Sequence, residues 1–430
     1  MQTHFSLAQL ADPNIAEADQ ILRNCVHCGF CTATCPTYLI RGDELDSPRG
    51  RIYLIKDMLE RDAPASETVV THIDRCLSCL SCMTTCPSGV HYMHLVDYAR
   101  QRIEDTYQRP LFDRLLRKSL AALLPRPKLF RLALSFGAIA KSFGIAHLLS
   151  GRLRAMVDLM PTNLPKPAET DRPGVFPAIG EKRGRVALLA GCAQQVLRPQ
   201  INAATIRLLT RLGIEVVVVP EVGCCGSLTH HMGLEEAAHD AAKGNIAAWH
   251  QEISDHGLDG ILITASGCGT TVKDYGFMFR GDLVWRERAE LISSLACDVS
   301  EYLDRLTFPA NEPRGLRVAY HAACSLQHGQ KLRDLPARLL TKVGYEVVDV
   351  PEGHICCGSA GTYNMLQPEL SAALRDRKAA NIALVTPQLI ATGNIGCLQQ
   401  LAPSVAVPIV HTVELLDWAL GGPQPAELKP

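Results

Sequence analysis

The chain has 430 residues, 47% of them hydrophobic, with 43 Lys and Arg against 44 Asp and Glu and a formal net charge of −1. That length makes two to four domains with a large buried core, and the even charge balance excludes a general pull toward nucleic acid. No uninterrupted apolar run is long enough to mark a membrane span. Seventeen cysteines are the compositional exception. The first twenty residues, MQTHFSLAQLADPNIAEADQ, lack the basic-then-apolar order of a signal peptide, so a cytoplasmic setting is expected, where clustered cysteines bind metal or carry electrons rather than form disulfides.

The motif C-x2-C-x2-C-x3-C-P occurs twice, as CVHCGFCTATCP from Cys25 and as CLSCLSCMTTCP from Cys76. Three thiolates at i, i+3 and i+6 wrap one tight turn and present three corners to a cubane, while the fourth, before proline, is carried into the next element. In bacterial two-cluster ferredoxins that fourth cysteine serves the other cluster. The assignment is therefore crossed: Cys25, Cys28, Cys31 and Cys86 hold one 4Fe–4S centre, and Cys76, Cys79, Cys82 and Cys35 hold the second. Zinc knuckles, the alternative, prefer two C-x2-C pairs separated by a longer loop. Between the blocks, Ser47-Pro48 reads as an N-cap and first helical residue opening an amphipathic helix. Arg49 and Arg51 in its first turn either offset cluster charge or face water. His27, His91 and His94 lie near the cysteines, but eight thiolates already complete two clusters.

From Arg100 to Met160 there are 12 Lys and Arg against 4 Asp and Glu, with short amphipathic helices broken at Pro125 and Pro127. This basic stretch either meets a partner or membrane surface or packs on neighbouring domains. The segment PTNLPKPAETDRPGVFPAIGEKRG then reads as a linker.

Beyond it the chain repeats itself. RVALLAGC ending at Cys192 matches RVAYHAAC ending at Cys324; LLTRLGIEVVVVPE matches LLTKVGYEVVDVPE; the CCGS at Cys224 and Cys225 matches the CCGS at Cys356 and Cys357. A further cysteine closes each copy, Cys268 in TASGCG and Cys397 in ATGNIGC. Apolar strand-like runs alternate with helical ones, which implies a parallel sheet with crossover helices. Each cysteine follows a predicted strand, so four thiols should converge at the carboxyl edge of each sheet, where α/β folds place ligands. They form a further iron–sulfur or metal site, or they are buried packing residues. Cys297 has no counterpart in the second copy and reads as structural, whereas His321 and His354 occur only in that copy and are extra candidate donors. The predicted organisation is an α-helical ferredoxin-like domain over 1–105, a basic helical connector and linker over 106–180, and two repeated α/β domains over 181–310 and 311–430.

Taken together, CVHCGFCTATCPTY, GDELDSPRGRIYLIK, PRPKLFR, GCAQ, TASGCG, CCGSAGTYN and TGNIGC resemble the iron–sulfur subunits of membrane-linked 2-hydroxyacid and glycerol-3-phosphate dehydrogenases, most of all those of bacterial glycolate oxidases. The resemblance covers almost the whole chain. It implies two 4Fe–4S clusters and two flavin-containing partner subunits that oxidise glycolate to glyoxylate. Electrons would be relayed toward a quinone-type acceptor, with this chain not catalytic alone and peripheral on the inner face of the cytoplasmic membrane. A lactate or glycerol-3-phosphate system, or a self-contained thiol/disulfide reductase of the CCG type, are the other readings. Reductases of that last type close each motif with C-x-x-C, whereas here Cys268 is followed by GTT and Cys397 by LQQ, which argues against five-cysteine noncubane clusters. No flavin or dinucleotide fingerprint and no acid–base constellation accompanies the cysteines.

Overall fold

A computed structural model describes residues 1–142, 149–161, 163–309 and 314–429. Six helices build the N-terminal part: Pro13–Asn24, Pro36–Arg41, Pro48–Glu60, Glu67–Asp74, Ser81–Thr85 and Tyr92–Thr106. Three start on side-chain caps, of which the one at Ser47 is expected from the sequence. The carboxylate of Asp12 accepts from the amide of Asn14 ahead of Pro13, and the hydroxyl of Ser47 accepts from that of Gly50 ahead of Pro48. Ser66 caps Glu67–Asp74 in the same way. Their apolar faces close on Leu22, Ile55, Ile73, Val96 and Ile103, a core that also takes in Cys25, Cys76 and Cys82.

Helices Leu111–Leu123, Pro127–Ser142 and Gly151–Asp158 form the connector. Much of its positive charge is spent internally. Arg109 and Arg117 both clasp Asp74, at 2.7 and 2.8 Å, and Arg117 also reaches Asp113 at 3.0 Å. Leu111, Phe112, Leu115, Leu132 and Phe136 remain exposed, beside exposed Arg114 and Lys118. The part of the basic stretch at 143–148 lies outside the described residues. Among the described residues no helix is long and apolar enough to cross a membrane.

Two sheets follow. In the first, β1 (Gly174–Phe176), β2 (Gly184–Leu188), β3 (Ile214–Val218), β4 (Gly260–Ile263) and β5 (Ala296–Asp298) take the order β1-β3-β2-β4-β5. All neighbours are parallel except β1, which runs antiparallel to β3 with Val175 opposite Val217. The proline-rich stretch read as a linker thus supplies an edge strand and makes this sheet mixed. Covering an open edge in this way is a common device. In the second, β6 (Arg317–Tyr320), β7 (Glu346–Asp349), β8 (Leu389–Thr392) and β9 (Ile409–His411) are parallel in the order β7-β6-β8-β9. The two copies share one core, which runs from Val186 and Leu262 to Val318, Ile390 and Val410. Polar pins join them: His411 Nε2 lies 2.9 Å from the Thr264 carbonyl, and the hydroxyls of Ser266 and Ser325 are 2.6 Å apart.

Candidate metal centres

Both cysteine turns wind identically. His27 and Gly29 in the first block, and Ser78 and Leu80 at the matching places in the second, all have positive φ, between 49° and 84°. Single left-handed residues between right-handed ones curl the backbone into a concave nest of amides, which suits an anionic cluster. Cys35 and Cys86, each before a proline, are extended, with ψ of 115° and 114° as that position requires. Cys35 caps Pro36–Arg41 and Cys86 ends Ser81–Thr85, so each fourth thiol leaves its own turn.

Two thiol groups result. A pocket is lined by Cys25, Cys28, Cys31, Cys82 and Cys86, with Ile52 and Tyr92 in its wall. Burial pushes the thiol of Cys31 up to about 11, and Cys25, Cys35 and Cys86 add to the rise. Cys79 and Cys82 are likewise pushed well up by burial, with Cys35 and Cys76 among the neighbours that raise both. Thiols this dry are poor thiolates alone; iron replacing the proton makes the charge tenable, so both blocks of thiols fit clusters.

Arg51 lies deepest beside them, 1% exposed, with Nη1 3.8 Å from Cys35 Sγ. Its Nε donates to the His72 carbonyl at 2.7 Å and its Nη2 to Thr37 Oγ1 at 2.9 Å. Burial works against its charge, but Cys76, Tyr92, Cys35 and Asp46 outweigh it and the guanidinium stays protonated. Arg49, less deeply buried, pairs with Glu44 and lines the first thiol pocket. Of the two arginines weighed from sequence, Arg51 is therefore the buried countercharge. Asp46 is fully buried among Arg41, Arg51, Arg75 and His72, and so is spent as the anion of this network. His27 borders the first pocket, whereas His94 is engaged by Asp274 at 2.9 Å and stacks on Phe277.

The repeat cysteines gather beyond strand ends. Cys192 follows β2, Cys224 and Cys225 follow β3, and Cys268 lies in helix Ser266–Lys273 after β4. In the second copy Cys324 follows β6, Cys356 and Cys357 follow β7, and Cys397 lies in helix Ile395–Leu401 after β8. In the first copy Cys192, Cys224 and Cys225 act on one another, so that Cys224 is lowered while the other two are raised. In the second copy Cys324 and Cys356 stand 3.7 Å apart, and Cys357 and Cys397 stand 3.5 Å apart. His321 joins Cys357 and Cys397, whereas the carbonyl of His354 is what is used, lying 3.1 Å from His328 Nε2. Cys297 is buried on β5.

The glycine after each cysteine pair is a steric necessity. Gly226 and Gly358 have φ of +82° and +89°, and a Cβ there would come within 2.9 Å of the Ala238 carbonyl and 2.5 Å of that of Ser371. The Cys-Cys-Gly corner is thus pressed against a long helix further along the chain, Glu235–His256 in the first copy and Pro368–Leu384 in the second, and only glycine permits the approach.

A 4Fe-4S dicluster domain matches residues 21–90, and a cysteine-rich domain matches twice, at 186–273 and 318–402. The glycolate oxidase iron-sulfur subunit of Escherichia coli (strain K12) is 43% identical over 98% of this chain and 99% of its own length. A protein of Bacillus subtilis (strain 168) described as "Probable glycolate oxidase iron-sulfur subunit" is 34% identical over 93% and 94%. The chain belongs to the family of glycolate oxidase iron–sulfur subunits. Lactate utilization protein A of Geobacillus thermodenitrificans (strain NG80-2) is 26% identical over 54% of this chain, too little to compete with that placement. As a member of the family the chain carries two 4Fe–4S clusters and serves as one subunit of an oxidoreductase complex.

Several residues around these centres have no sequence signature. Asp97 on helix Tyr92–Thr106 binds His231 at 3.1 Å and His230 at 3.4 Å in the first repeat. From the same helix Arg100 donates to the Cys76 carbonyl at 2.7 Å. In the second repeat Lys378, 1% exposed, donates to the Glu352 carbonyl at 2.7 Å. Cys79 packs with Leu77 against Ile355, Cys356 and Leu374, so the second cysteine turn faces the thiols of the second copy.

Proposed function

We propose that this chain relays electrons for a glycolate-oxidising complex, taking them from flavin-containing partner subunits and passing them toward a quinone-type acceptor at the inner face of the cytoplasmic membrane. Bound clusters would supply one-electron carriers between a two-electron flavin and that acceptor. The cluster ligands are assigned crosswise: Cys25, Cys28, Cys31 and Cys86 for one, Cys76, Cys79, Cys82 and Cys35 for the other. The observation that supports this assignment is that Cys86 lines the same pocket as Cys25, Cys28 and Cys31, while Cys35 is among the neighbours that raise Cys79 and Cys82. Around these thiols the chain's own residues exclude water and hold compensating charge, Arg51 foremost.

Paired exchanges test the ligand sets. With crossed ligation, Cys28→Ser and Cys86→Ser serve one cluster, so the double variant should keep about four irons, while Cys28→Ser with Cys35→Ser should lose both clusters. The reverse outcome would show each block holding its own cluster. For the relay itself, the purified chain should show no glycolate oxidation until its flavoprotein partners are added. Turnover by the isolated chain would sink the reading.

A further inference from the structure

We propose that the second repeat holds a single soft divalent ion of the zinc class on His321, Cys357 and Cys397, a site separate from the two clusters. It goes beyond the relay reading and stands whether or not the ligation there is crossed. One donor atom from each residue lies within 4.8 Å of the other two, and all three residues are buried. The spacing selects the kind of metal. An ion with zinc–sulfur bonds of about 2.3 Å at tetrahedral angles holds two thiolates about 3.8 Å apart, and Cys357 and Cys397 stand at 3.5 Å. Thiolates on a cubane bind different irons and stand farther apart.

His321 gives the second observation. His321 is 2% exposed, yet among the described residues its Nε2 has no hydrogen-bond partner. Buried ring nitrogens are almost always satisfied, and one left bare beside two thiols is a ligand in waiting. The backbone holds it there, because the His321 amide donates to the Ala391 carbonyl at 2.8 Å and extends the pairing of β6 with β8. Asn394 Nδ2 donates to Cys397 Sγ at 3.6 Å and steadies that thiol. One divalent ion, two thiolates and a neutral imidazole sum to zero charge, which a buried site tolerates. Three protein donors leave the fourth corner to an exogenous ligand.

The duplication provides an internal contrast. Where the second copy has His321, three residues before Cys324, the first has Leu189, three before Cys192, buried in an apolar core. The first copy therefore offers thiols without the imidazole, and the site belongs to the second copy alone.

The test is metal analysis of the full chain purified without oxygen and loaded with iron and one equivalent of zinc. About one zinc should accompany about eight irons. His321→Leu, which copies the first repeat, should lose the zinc and keep the iron and both cluster signals; Cys397→Ser should do the same. Zinc content unchanged in His321→Leu, or extra iron lost in place of zinc, overturns the proposal. Zinc-edge X-ray absorption of the unaltered chain does not depend on how the variants fold. Sulfur at about 2.3 Å with nitrogen at about 2.0 Å is expected, and a shell of oxygen and nitrogen alone overturns the site.

Discussion

Arg51 shows what one side chain contributes to these centres. A buried cation beside Cys35 favours the more negative, reduced state of the cluster that this thiol is assigned to hold. Exchanging Arg51 for Met should shift that cluster's midpoint potential in the negative direction, on the order of tens of millivolts, read by an EPR-monitored redox titration. Arg51→Lys keeps the charge but not the planar fork, so it should recover most of the potential but less of the stability. Both should unfold more easily than the parent. For Arg51→Met the expected loss is about 3–5 kcal/mol, because Asp46 is left buried with a weakened set of partners. An unchanged potential in a folded, fully loaded Arg51→Met protein would remove the electrostatic role. That Arg51 rather than Arg49 becomes the fully buried one was not legible in Ser47-Pro48-Arg49-Gly50-Arg51. Helical phase alone places both near the first turn, and the choice is made by Thr37, the His72 carbonyl and Asp46, which come from other elements.

At the scale of elements, the cysteine turns and the repeat were legible because they are local. C-x2-C-x2-C dictates a nest, and a glycine after two cysteines announces a corner that only glycine can make. Gly358→Ala should cost more than about 1 kcal/mol in denaturant unfolding, since it meets both a positive φ and the Ser371 carbonyl. What local pattern could not supply is partner choice between elements. The edge strand β1 looked like linker because three residues in a proline-rich stretch carry no periodicity, and β3 recruits them. The basic connector was open to either a partner surface or packing, and Arg109 and Arg117 take the second, tied to Asp74. Charge reversal at Arg114 and Lys118, joined with Leu111→Ser and Phe112→Ser, should weaken association with partner subunits or membranes and leave the melting temperature nearly unchanged. Reversal at Arg117 should destabilise the fold instead, by about 3 kcal/mol. Co-purification and thermal melts distinguish the two effects.

For the whole molecule, the telling contacts are those that seat both repeats on the cluster-bearing part. The first is seated through Asp97. His230 is raised above its ordinary value of 6.5; burial opposes protonation, but Asp97 outweighs it. A raised imidazole contributes fully below its unfolded pKa and loses that contribution as pH rises through the folded one. The stability advantage of the parent over His230→Gln should therefore be larger at about pH 6 than at about pH 9, as thermal melts across that range will show. An advantage independent of pH would mean that the pair packs without carrying charge. None of this was readable from the chain, because Asp97 and His230 sit on helices whose sequences are unremarkable until the domains meet.

The second repeat is seated through Cys79, which packs against Cys356, a residue added to the growing chain 277 positions later. That makes the C-terminal copy a cover that arrives last. Until it has been synthesised and folded, the turn carrying Cys79 is open to water and to dioxygen, and afterwards it is sealed. Iron should therefore reach that turn most readily before the second repeat docks, whereas the turn carrying exposed Cys28 stays reachable afterwards. In the finished protein the first block should bleach first in air. A chain halted before the second repeat should lose that order, and both centres should decay together.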